Sequence, residues 1–507
     1  MAVDGSVRRR TLLGATLSAA FVAPALAQKT SDTLRVTWRD AIPNVDFFYN
    51  PFRTGLVVSH HVWDTLIYRD PDTFQLKPQL ATTWRNTDDR TIEFELRGGV
   101  TFHDGTKFTA DDVVYTVELV LNDSRLAVPS NYSWIEGAEK IDDQHVRIKL
   151  KRVFPAALEY LSMVLPIYPK AYREQSGAAF SQKPIGTGPY QVTEIDGASA
   201  ITMARYDGYF DGPKGKPAIR NLVISEVAEA SDELAALLDG KADWIWNIST
   251  DQIPKVSALP LLQVLSSESM RVGYLEMDAA GRTGASVPFT NRKVREAVMR
   301  AIDRPSMARQ FMPGGSRVLD APCYPTQFGC DAAVATKYEY DPAKAKALLV
   351  EAGYPDGFDT EIVSYLLPQM VQAVQGYLGA IGIRARVTQP QIDAVVRRGG
   401  EGKNPIEMGS WGSYSINDVS AFLPYFFDGG PHDFTRDAEV TKLVLEAGAT
   451  TDPDRRRSDY SAAIRRITAE ADFLPLFTFV TTYAMSRQLN FRPSRDELPR
   501  FYLANWK

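Results

Sequence analysis

Apolar positions along this chain switch repeatedly between two spacings, and the alternation predicts a mixed α/β architecture. Thr91-Ile92-Glu93-Phe94-Glu95-Leu96 alternates apolar and polar residues, as does Val146-Arg147-Ile148-Lys149-Leu150, the mark of strands with one buried face. Thr109, with Asp112 three residues on, opens a helix by a capping-box variant, and Val113, Val114, Val117 and Val120 supply its apolar positions. Val294, Ala297, Val298, Ala301 and Ile302 recur at helical spacing, predicting a helix with arginines on its other face, and Pro305 suits the first turn of the next helix. Asp341-Pro342 starts another, Gly353 follows its last turn, and Pro355-Asp356-Gly357 turns the chain into a strand over 360–365. A long amphipathic helix from 453 to about 471 places Tyr460, Ile464, Ile467 and Ala471 on one face and its charges in solvent.

The N-terminus follows a different design. Arg8-Arg9-Arg10, the apolar run 12–23 and Ala25-Leu26-Ala27 form an export signal, and the run is too short to span a bilayer. Cleavage would leave a mature chain beginning near Gln28. Arg9-Arg10-Thr11-Leu12-Leu13 resembles a twin-arginine signal, an ordinary secretory signal being the alternative. No later stretch offers the roughly 18 uncharged apolar residues of a membrane helix, so a soluble exported protein is expected. The 507 residues exceed what one core usually serves, and without repeats or a long linker they predict two or three intertwined subdomains. A formal charge of −5 favours neither nucleic acid nor an anionic membrane. The two cysteines, Cys323 and Cys330, bracket a segment with Pro325 and Gly329 and read as a local disulfide; a metal clip would need histidines, and the nearest in sequence is His432.

Four runs, in order, resemble the peptide/nickel class, family 5, of periplasmic solute-binding proteins of ABC importers, including its dipeptide- and oligopeptide-binding members. They are Phe102-His103-Asp104-Gly105-Thr106-Lys107-Phe108-Thr109-Ala110-Asp111-Asp112-Val113, then Pro184-Ile185-Gly186-Thr187-Gly188-Pro189-Tyr190, then 291–304, then 341–354. The resemblance spans the mature chain and implies a two-lobed periplasmic binding protein fold, type II, of the large class with an inserted subdomain. Lobe I would run over 28–278 with the insertion at about 70–190, lobe II over 279–480, and 481–507 would return to lobe I after the signal peptide 1–27. Strands crossing near 273–278 and 477–484 would form the hinge. The implied protein is a periplasmic monomer that captures a peptide or other small solute between its lobes and delivers it to ABC permease subunits with their ATPases. It uses no cofactor and performs no chemistry. In keeping with that, the chain lacks a Gly-x-Ser-x-Gly elbow, a His-Glu-x-x-His zinc site, a phosphate loop and a Cys-x-x-Cys. A sensory or chaperone-like binding protein is the nearer alternative, and a secreted hydrolase working with two carboxylates the remote one.

The resemblance also points to ligand candidates. Trp411 precedes a family segment that lines the cleft, with lobe-core packing as its other reading. Dipeptide binders carry an aspartate about three residues later to neutralise the ligand's ammonium; Tyr414 stands there instead, which disfavours free dipeptides as ligands unless Asp418 takes over that role, its other reading being a turn or helix-cap carboxylate. Trp246, Tyr365, Trp38 and Trp134 are further aromatic candidates, and Arg271 would pair either a ligand carboxylate or a surface acid. Gly98-Gly99, Gly105 and Gly186-Thr187-Gly188-Pro189 are expected to supply turn geometry, and His103 a structural hydrogen bond. His60-His61, being adjacent, point apart and are not expected to chelate a metal together.

Overall fold

Both period-two segments are strands, alternating buried and open residues as their patterns require. A computed structural model of the chain describes Met1 and residues 32–507, apart from Pro43, Pro51, Ala285 and Ser286; the export signal lies outside the described residues. Thr91–Leu96 and His145–Leu150 pair at the centre of a four-stranded antiparallel sheet, flanked by Ala81–Asp88 and Ile135–Asp142. The helix Ala110–Asn122 packs beside them, opened by the expected box: Thr109 N–H donates to Asp112 Oδ2 at 2.8 Å.

The main sheet has ten strands. Their order is Ile383–Thr388, Phe358–Ser364, Ile406–Trp411, Leu262–Met277, Phe473–Ser486, Trp244–Trp246, Thr33–Trp38, Asn221–Glu226, Ala200–Arg205 and Tyr190–Asp196. The two long strands pair antiparallel over most of their length, with register shifts between Glu268 and Val272 and between Val272 and Tyr274. They are shared by separate hydrophobic cores. Residues between 34 and 246 form one core with Tyr483, Met485 and C-terminal residues from Leu489 to Ala504. Residues from Leu275 to Ile406, with Leu474, Leu476 and Phe477, form a second, and Met270, Val272, Tyr274 and Phe473 belong to a third with the helix Pro453–Ala469.

Helix boundaries follow their caps. Asn291 accepts from Lys293 N–H ahead of Arg292–Ala301, and Asp341 accepts from Lys344 N–H ahead of Pro342–Glu351. Gly353 (φ 89°) and Gly357 (φ 69°) sit at the left-handed positions beyond that second helix. Arg295, on the helix Arg292–Ala301, is buried, donating to Phe289 O and Glu470 O and pairing with Asp472 at 3.0 Å. One expectation about charge needs correction: Arg456, on the long C-terminal helix, is buried rather than solvated, and that helix stops at Ala469, before Ala471. A purely apolar periodicity cannot separate a long cation in solvent from one folded back onto backbone carbonyls.

Cys323 and Cys330 are joined in a disulfide. Among the described residues no helix is long and apolar enough to cross a membrane.

Candidate functional site

Beside the register shifts between Glu268 and Tyr274, on strands shared by several cores, lies a cavity of about 430 Å³ lined by Arg271 and Tyr274 among others. That is within the range of small-molecule sites. From the N-terminal side Phe47, Phe48, Phe52, Arg53 and Tyr132 line it. From the other side come Arg271, Tyr274, Tyr365, Trp411, Tyr414 and Tyr425. Among the described residues that line it none is an aspartate or glutamate.

Trp411 ends the strand Ile406–Trp411. Its indole N–H donates to Ala421 O at 2.7 Å, Tyr425 stacks on it at 4.3 Å, and Tyr414 meets it edge-on at 5.7 Å. The hydrogen bond and the stacked Tyr425 ring together set the plane of the indole. Ser413, Tyr414 and Ser415 follow, all with positive φ (50°, 48° and 63°), a run that costs about 1–3 kcal/mol per residue and persists only where the surroundings enforce it. Here they do: Ser415 Oγ donates to Asp496 O at 2.7 Å, the buried Arg69 donates to Ser415 O, and Ser415 N–H reaches back to Gly412 O. The consequence is that Tyr414 is 48% exposed and borders the cavity. Tyr365 is held by two bonds to one backbone unit, its hydroxyl donating to Ser410 O (2.8 Å) and accepting from Ser410 N–H (2.9 Å).

Charge enters through Arg53 and Arg271. Arg271 Nε and Nη2 donate to the two oxygens of Glu497 at 3.2 and 3.0 Å, and Arg53 Nη2 lies 2.9 Å from the same carboxylate. Burial opposes ionisation of Glu497, but the two guanidiniums outweigh it and hold the carboxyl at about 2. Arg53 begins the helix Arg53–Val62, whose first turn has no side-chain cap.

The remaining candidates lie elsewhere. Asp418 is 3% exposed; both its oxygens pair with Arg456 at 2.9 Å, and it also accepts from Ser420 N–H, so it is a turn-capping carboxylate in a buried ion pair and leaves the cavity wall without a negative charge. Trp38 and Trp246 pack on each other (6.0 Å) in the N-terminal core, and Trp244 beside them is buried too, so neither Trp38 nor Trp246 faces the cavity. Trp134 sits one layer behind the lining, stacked on Phe154 at 4.7 Å, with its N–H donated to Asn131 O. Arg271 is the mixed case: it pairs an acid of this chain and still borders the cavity. Missed by the sequence reading were Arg53, Tyr274, Tyr425 and the aromatic run Phe47-Phe48; that run, clustered between strand and helix, was the one legible signal.

Two of the shared motifs, 102–113 and 184–190, lie away from the cavity and meet in a hydrogen-bonded knot. His103 Nδ1 accepts from Gly186 N–H at 3.2 Å, so the proton sits on Nε2, which donates to Gly188 O at 2.9 Å; burial lowers the imidazole to about 4. Gly99 and Gly105 do occupy left-handed turns. Gly186 and Gly188 do not need φ freedom: a Cβ on either would lie 2.0 and 2.5 Å from the carbonyl oxygens of Val62 and His61. His60 and His61 bond separately, His60 Nε2 to Met163 O and His61 Nδ1 to Val57 O, while His61 Nε2 accepts from Phe501 N–H.

Comparison with known proteins accounts for this architecture. Residues 75–433 match the model of the bacterial extracellular solute-binding proteins, family 5 middle region. Heme-binding protein A of Haemophilus influenzae is 27% identical over 456 residues, covering 82% of each chain. Glutathione-binding protein GsiB of Escherichia coli strain K12 is 29% identical over 448 residues, covering 82% of this chain and 83% of its own. The structure of HbpA2 from Haemophilus parasuis superposes with a TM-score of 0.81 at 24% identity, over 94% of this chain and 100% of that one. The chain therefore belongs to the family 5 bacterial extracellular solute-binding proteins, binding components of ABC importers rather than enzymes.

Proposed function

We propose that this protein is exported to the periplasm by residues 1–27, through the twin-arginine route, and acts there as a monomeric clamp for a peptide or another small solute. Lobe I would comprise 28–278, with the four-stranded sheet inside its insertion, together with 481–507; lobe II would comprise 279–480. The observation that carries this reading is an aromatic-walled cavity whose lining comes from both sides of the long strands. A ligand touching Phe52 and Trp411 together does so only when the lobes are near, so its binding energy favours the closed form, which ABC permease subunits and their ATPases would then engage. Tyr414, standing where dipeptide binders place an aspartate, and the engagement of Asp418 by Arg456 both weigh against free short peptides. Relatives named for heme and glutathione support a wider range of solutes.

A thermal-shift screen of residues 28–507 against peptides, amino-acid derivatives, oligosaccharides and chelates tests this. A ligand at a hundred times its dissociation constant adds about 2.7 kcal/mol to the folded state. Trp411→Ala should abolish that shift while leaving the unliganded melting point within a few degrees. An unchanged shift in the variant would move the ligand site away from this cavity.

A further inference from the structure

The charge of the cavity narrows the solute class, on the reading of that cavity as the ligand site. Arg53 and Arg271 both border it, yet both turn to one carboxylate, Glu497. One carboxylate balances one guanidinium. The adjacent Asp496 is already engaged by Arg69 (2.9 Å) and Arg500 (2.6 Å), and Arg53 Nη1 reaches only its backbone carbonyl. Asp40, which also feels Arg53, lies beside Arg39 and does not line the cavity. The lining thus carries two permanent cations and no anion, each guanidinium holds five N–H donors in a planar fork, and the uncapped start of the helix at Arg53 adds positive potential of the same sign.

Geometry concentrates those donors at one spot. The cavity wall there is Gly412, and a Cβ at that position would come within 3.0 Å of Arg271 Nη2 and 3.5 Å of Arg53 Nη2. The two guanidiniums pack against a residue with no side chain, where even a Cβ would be tight, and together form one cationic patch of the cavity wall beside Gly412. Around that patch the walls are apolar or aromatic: Phe47, Phe52, Tyr365, Trp411 and Tyr414.

We propose that the cavity takes an organic monoanion: a carboxylate seated on the cavity face of Arg53 and Arg271, joined to an aromatic or apolar body, with no free ammonium. Planar carboxylate and planar guanidinium match bidentately. An ammonium in the same cavity would lose its water, meet no carboxylate on the lining and face two cations.

The test uses three forms of phenylalanyl-phenylalanine, titrated calorimetrically into residues 28–507. One is N-acetylated with a free carboxylate, one is C-amidated with a free ammonium, and one is blocked at both ends. The acetylated anion should bind at least about tenfold tighter than the doubly blocked form, the amidated cation being weakest. Arg271→Gln, or Arg53→Gln should the first fail to fold, should bring the anion to within about twofold of the blocked form, whereas Glu497→Gln should widen the ratio. A purely structural role for these residues would change both affinities together and leave the ratio where it was. Equal affinity of anion and blocked form, preference for the cation, or no binding of any of the three at millimolar concentration overturns the proposal. Solute binding as such would still stand if another compound of the wider screen shifts the melting point and Trp411→Ala removes that shift.

Discussion

Asp418 shows how one residue's chemistry is settled by its partner. Its carboxylate is enclosed with Arg456, whose guanidinium also lies 4.4 Å from the Phe328 ring centre. Removing one member of such a pair leaves the other buried and uncompensated, at a cost of about 3–5 kcal/mol. Asp418→Asn should therefore lower the denaturant midpoint strongly while leaving ligand affinity of the folded protein unchanged; a loss of affinity with unchanged stability would return Asp418 to the ligand site. The sequence showed the aspartate but not the arginine 38 positions later, because helical periodicity put Arg456 among solvated charges. Trp411 and Tyr414 were legible through their family segment, whereas Arg53 and Tyr274 were not, since neither belongs to a motif and only the folded sheet brings them to one cavity. Gly186 teaches a related point. Its value lies in the space it leaves for the Val62 carbonyl, so Gly186→Ala should destabilise the chain by about 1–3 kcal/mol through overpacking, measured by chemical denaturation.

Among the elements, the pairing of Leu262–Met277 with Ile406–Trp411 places Glu276 directly opposite Glu407. Burial pushes Glu407 up to about 7, against hydrogen bonds from Asn404 and the Tyr274 hydroxyl, and Glu276 is raised further by burial, Glu407 and Asp433, with Arg282 the opposing cation. The folded protein thus keeps a proton on Glu407 that the unfolded chain releases near its ordinary value of about 4.3. Stability from this group is complete below that value and falls as pH rises through about 7, by about 3 kcal/mol in all. The melting temperature should drop between pH 6 and pH 8, and Glu407→Gln should reduce that drop, the buried Asp472 and Glu233, each also raised to about 7, carrying the rest; a melting temperature that rises over the interval would contradict the assignment. Tyr274, which lines the cavity, donates its hydroxyl to Glu407 at 3.1 Å. Strand and helix types were readable because alternation and caps are local. The acid pair was not, because register between distant strands is set by the whole sheet.

At the scale of the molecule, the family assignment was legible because four short runs keep their order, and the knot around His103 explains why two of them occur together: each supplies half of one hydrogen-bonded junction. No local pattern announces that the strands Leu262–Met277 and Phe473–Ser486 give residues to several cores at once. That sharing has a calorimetric consequence. No core can melt without stripping side chains from a strand the others need, so heating should give a single endotherm whose van't Hoff and calorimetric enthalpies agree. Two resolved endotherms would mean that the strands part before the cores do. Evolution could then exchange loops around the cavity to recruit new solutes, while a change in either long strand would be felt by the entire molecule.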